Sequence, residues 1–148
     1  MAALRNEGFQ GETDLKAAIL ADPAPGAGNG VSFLLSDFLT DSDWRGAVNY
    51  LLSRGRQVAL IQVLSRAETD PGRTGCFEWR DAERPQDRLP MRVDRAALKA
   101  YQTALARWRE DMRQFCKSRR VKLIQAGSWE SAADILLKRG REAGVIRC

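Results

Sequence analysis

The sequence predicts an α/β fold: an open parallel sheet with helices on both faces and an added β-hairpin. Three observations carry this. Short apolar runs bounded by turn residues, "VSFLLSD" (31–37), "QVALIQVLS" (57–65) and "VKLIQAG" (121–127), read as strands buried on both faces. Amphipathic helical stretches stand between these runs and after the last one. Two alternating segments, "CFEWRDAE" and "DRLPMRV", flank "RPQD" as the arms of a hairpin over about 75–93.

Taken in order, "TDLKAAILAD" is a short helix that Thr13 or Asp14 caps, with Leu15, Ala18 and Ile19 on one face. "PAPGAGNG" is a loop, and it lacks the Gly-Lys-Ser/Thr ending of a phosphate-binding loop. After the first strand a helix is expected over about 43–54. Trp44, Ala47, Val48, Leu51 and Leu52 form its stripe, Asp41 or Ser42 its cap, and Gly55 lies just past its end. "ETDPGRTG" is a turn-rich break after the second strand, and Pro90 marks the second hairpin arm as an edge. The longest helix runs over about 95–118 behind Asp94, with Leu98, Tyr101, Leu105, Trp108, Met112 and Phe115 as one seam. Ser128 is the expected cap of a last helix whose Ala133, Leu136 and Leu137 face inward before Gly140. The pattern is β-α-β-(hairpin)-α-β-α, preceded by an orphan helix.

The chain has 148 residues, 44% of them hydrophobic and 29% charged, which suits one domain with its own core over 1–148. No apolar run has the length of a membrane span, and the N-terminal stretch lacks a signal-peptide core, so a soluble cytoplasmic protein is expected. There is no histidine, which removes the commonest general base, the Ser-His and Cys-His pairs and most zinc sites. Cys76, Cys116 and Cys148 show no metal-binding spacing and read as buried or incidental reduced thiols. The net charge of +5 divides into −2 for residues 1–74 and +7 for residues 75–148. Along the long helix basic residues alternate with acids, which favours a solvated face over a nucleic-acid platform. Arg119, Arg120 and Lys122 suit phosphate, but they also finish the long helix favourably at its negative end. Of the four tryptophans, Trp44, Trp108 and Trp129 lie on or beside apolar stripes and are assigned to packing. Trp79, in the hairpin, is the candidate for a surface contact.

Sites in open parallel sheets gather at the carboxyl ends of strands. Asp37 stands at such an end, and Thr13 lies in "GETD" before the orphan helix. Oxygen ligands of this kind suit Mg²⁺, whereas an aspartate ending a strand is also an ordinary turn former.

The ordered set "GFQGETDLKAAI", "VSFLLSDFLTDSDWRGAVNYLLSRGRQVALIQVLSRAE", "GCFEWRDAE" and "VKLIQAGSWESAADILLKR" closely resembles the C-terminal part of the bacterial family of unknown function numbered fifty-eight. Proteins of that kind carry a von Willebrand factor A-like domain. The resemblance implies a metal-ion-dependent adhesion site built from three loops. Thr13 matches the second loop and Asp37 the third, with Asp14 and Ser36 as neighbours. The Asp-x-Ser-x-Ser loop of the first is not in the sequence. The resemblance therefore implies a truncated domain, a vestigial site and no cofactor; Mg²⁺ would bind only if another chain supplied the absent loop. It also implies that the strand Val31–Ser36 is left as an open edge, suited to self-association or to a chain carrying the absent half.

The functional expectation is a non-enzymatic protein-interaction domain, like those that work beside MoxR-type AAA+ ATPases in complex assembly. The alternatives are a hydrolase or phosphotransferase using Asp37, and nucleic-acid binding through the basic half.

Overall fold

The three apolar runs become the strands β1 (Val31–Ser36), β2 (Gln57–Leu64) and β5 (Lys122–Gly127). In this computed structural model, residues 15–21, 30–40, 42–80 and 88–145 are described, the side chain of Trp79 excepted. The strands pair in parallel in the order β1-β2-β5. Leu34, Leu60 and Leu123 align across the sheet, and so do Ser36, Gln62 and Gln125. The antiparallel hairpin of β3 (Gly75–Arg80) and β4 (Arg88–Val93) forms a separate two-stranded sheet, as its alternation predicts.

Both crossovers step the same way across the sheet. The right-handed rule then places their helices on one face, and the core has this arrangement. Trp44, Val48 and Leu51 of α2 (Trp44–Ser53) join Met112 and Cys116 of α4 (Arg95–Ser118) over Leu34, Val58 and Leu60. Leu15 and Ile19 of the orphan helix α1 (Leu15–Ala21) pack against the same cluster. The opposite face is smaller. There Ile61, Ile124 and Ala126 are covered by Ile135, Ala143 and Val145 from the C-terminal helical segment.

Several expectations are corrected. β1 is not buried on both faces: only Leu34 is buried, because the second helical layer covers β2 and β5 and stops short of β1. Asp43, not Ser42, caps α2, its Oδ1 accepting the Gly46 N–H at 2.8 Å. Ser65 closes a capping box with Glu68 and opens a short helix α3 (Arg66–Thr69) that runs into the start of the expected break. The α4 seam is covered only in its second half. A 24-residue helix is about 36 Å long, whereas six-residue strands span about 20 Å, so the first half overshoots the sheet. Tyr101 is exposed there, and Leu98 and Leu105 are half-buried.

The last helix departs most. Asp134–Arg139 winds as a π-helix, continued by α5 (Gly140–Glu142). The wider turn brings Ile135 to the core and leaves Ala133, Leu136 and Leu137 outside. Gly140 is buried within the helical segment rather than placed past its end. Ser128 makes no side-chain cap; its N–H donates to the Leu64 carbonyl at 2.9 Å. Trp129, assigned to packing, is 50% exposed, with the Arg66 guanidinium 5.2 Å from its ring. Trp44 and Trp108 do contribute to the core. Cys116 is buried, and burial pushes its thiol up to about 11, whereas Cys76 is exposed.

Candidate functional site

The carboxyl ends of β1, β2 and β5 form the rim where an α/β sheet usually holds its site. At the end of β1, Asp37 turns the chain. Its Oδ1 accepts the Leu39 N–H at 3.0 Å and the Ser36 hydroxyl at 3.4 Å. Ser36 Oγ in turn accepts the Phe38 N–H at 3.0 Å. Phe38 has φ +58°, a left-handed conformation that costs a bulky L residue of order 1–2 kcal/mol. Burial holds it there: the ring is 1% exposed and meets Trp44 edge-on, centroids 5.6 Å apart.

Two glutamines absent from the sequence-based site, Gln62 and Gln125, support this turn from beneath. Gln62 is fully buried, donates through Nε2 to the Asp37 carbonyl at 3.1 Å, and accepts Gln125 Nε2 at 2.8 Å. In the sequence each of Ser36, Gln62 and Gln125 is one of several polar residues in its run, at unequal offsets, so only the strand register brings the three into line. Beyond β5, Glu130 accepts the Gly127 N–H at 2.6 Å and pairs with Arg139, whose Nη1 reaches the Gln125 carbonyl at 2.6 Å.

The fit to an oxygen-ligand metal site can be tested on these contacts. One Asp37 oxygen and the Ser36 hydroxyl face their own turn. Among the described residues, no group of three or more His, Cys, Asp or Glu is placed to hold a metal ion. Thr13 and Asp14 lie outside the described residues, as do Asp41, Cys148 and the side chain of Trp79. No topological switch occurs among β1, β2 and β5, so the rim lacks the crevice such a switch creates.

The other prominent feature is β1 itself. Among the described residues no strand pairs with its outer edge. Its far face presents Val31, Phe33 and Leu35, respectively 39%, 43% and 60% exposed. No charged residue, proline or glycine interrupts the strand, so it lacks the usual devices that discourage pairing.

No helix among the described residues is long and apolar enough to cross a membrane. No curated protein and no solved structure matches the chain. The family described as "Protein of unknown function DUF58" matches residues 2–111, well over half of the chain, from before α1 into α4. The chain belongs to the DUF58 family.

Proposed function

We propose that this chain is a non-enzymatic protein-interaction domain that receives an extended segment of a partner polypeptide alongside β1. The observation that carries the reading is the edge of β1, unpaired among the described residues, beside the exposed row Val31, Phe33 and Leu35. Added strands gain main-chain hydrogen bonds from such an edge and specificity from alternate side chains. The net charge of +5 disfavours a second copy, and the apolar row favours a segment with apolar side chains at alternate positions. At Asp37, one carboxylate oxygen is committed to the turn, which supports a structural role over general-base chemistry. The resemblance of the sequence to von Willebrand factor A-like proteins supports placing the domain beside a MoxR-type AAA+ ATPase, in complex assembly.

Leu35→Lys tests the reading, because residue 35 is already exposed and the fold tolerates a charge there. A purified MoxR-type ATPase from the same genome is expected to bind the native chain and to release the variant, with circular dichroism unchanged. Binding that Leu35→Lys leaves intact would sink the edge-strand reading. A stable dimer in light scattering, dissociated by Leu35→Lys, would replace the partner with a second copy.

A further inference from the structure

At the opposite end of the sheet, the amino-terminal ends of β1, β2 and β5 surround a cavity of about 250 Å³. Four cationic side chains line it: Arg56, Arg119, Arg120 and Lys122. Among the described residues no carboxylate lines it, and none of the four is in an ion pair. The floor is apolar, with Val31 and Val58 among its residues.

Two of the arginines are held in place by neutral contacts that leave part of each guanidinium available. Arg56 Nε donates to Ser32 Oγ at 2.7 Å. Arg119 Nε donates to Asn49 Oδ1 at 2.8 Å and Nη1 to Ser118 Oγ at 3.0 Å, and the group lies 4.0 Å from the Phe115 ring centroid. Arg120 and Lys122 make no side-chain hydrogen bond among the described residues. Arg120 occupies the position after the α4 cap that glycine usually takes, at φ +58°. The Val121 N–H closes on the Cys116 carbonyl at 2.9 Å around it.

Favourable interaction with the end of α4 accounts for a basic residue at 119 or 120. It does not account for Arg56, which the loop between α2 and β2 brings from a different part of the chain. The two helix C-termini at this end contribute roughly −0.5 charge each, which four cations outweigh.

We infer that this cavity binds a compact, multiply charged phosphate anion of a small soluble molecule. Arginine forks suit phosphate oxygens, and the lysine adds a point charge. A partly open cleft of this size suits a small ligand, whereas a nucleic-acid strand needs an extended basic track.

The probe is inorganic pyrophosphate, titrated calorimetrically into the full chain at low and high salt. Saturable binding that weakens with salt is expected, with about a tenfold loss in each of Arg120→Gly and Lys122→Gln, the size of one lost charged contact. Arg120→Gly separates binding from folding, because glycine suits φ +58° and its urea midpoint is expected to hold or rise. No saturable binding at millimolar pyrophosphate, or variants that bind as tightly as the native chain, would overturn the assignment. Preference for a single-stranded oligonucleotide or for anionic vesicles over pyrophosphate would overturn the small-molecule class. Leu35 lies outside the cavity lining, so Leu35→Lys is expected to leave pyrophosphate binding unchanged, and either site can fail alone.

Discussion

Gln62 donates through its side-chain amide to the backbone carbonyl of Asp37, 3.1 Å away and 25 residues earlier in the chain. This bond ties the turn at the carboxyl end of the edge strand to the central strand. Asp37 therefore acts through its main chain as well as its carboxylate.

Replacing Gln62 by leucine keeps the approximate volume but strands the Asp37 carbonyl and the Gln125 amide. Leaving such groups unpaired in a buried setting costs about 1–3 kcal/mol. Urea denaturation of Gln62→Leu is expected to show a loss in that range. Gln125→Leu is expected to cost less, because it strands one group, the buried Gln62 Oε1, rather than two. A neutral Gln62→Leu would remove the glutamine pair as a structural device.

Phe38 offers a comparison of two truncations. Phe38→Ala removes a buried aromatic ring, a change that costs about 3–5 kcal/mol. Glycine normally costs more than alanine within regular structure, by about 0.5–1 kcal/mol. Here the order is expected to reverse, because glycine relieves the +58° backbone. Equilibrium unfolding of both variants checks this, and a less stable Phe38→Gly would place the strain elsewhere.

Asp43 couples helix capping to pH. Its carboxylate accepts Lys16 Nζ at 2.9 Å and the Gly46 N–H, and these two bonds hold its carboxyl below the ordinary 3.8. A depressed folded pKa means that the stabilisation is complete above the unfolded value. It is lost as pH falls through the lower folded value. Asp43→Asn keeps a capping oxygen and removes the titration. Its stability is expected to lie modestly below that of the native chain at neutral pH, and the gap to close in acid. A gap of constant size from neutral pH to pH 3 would contradict the coupling.

Local pattern carried a large part of the fold. Val31–Ser36 emerges as a strand with the predicted bounds, and Arg95–Ser118 as a helix behind Asp94, because apolar spacing and a capping side chain act within a few residues. The last helix was less legible. A π-turn changes which residues face inward without changing their composition, so Ile135 replaced Leu136 and Leu137 in the core. Part of the site could be read in the same way: Asp37 marks a strand end in the sequence and in the fold. Its link to Gln62 could not, since a glutamine in an apolar run shows neither its partner nor its register.

By itself, then, the sequence determined the elements, their order and the charge asymmetry, all of which depend on neighbours along the chain. Tertiary structure alone decided which side of β1 stays bare and which cations meet. Parallel pairing places Val31, Phe33 and Leu35 beyond the reach of the C-terminal helical layer. The same closure brings Arg56 beside Arg119, Arg120 and Lys122 across more than sixty residues of chain. Both outcomes depend on how crossovers close over the sheet, a long-range geometry that no local spacing encodes.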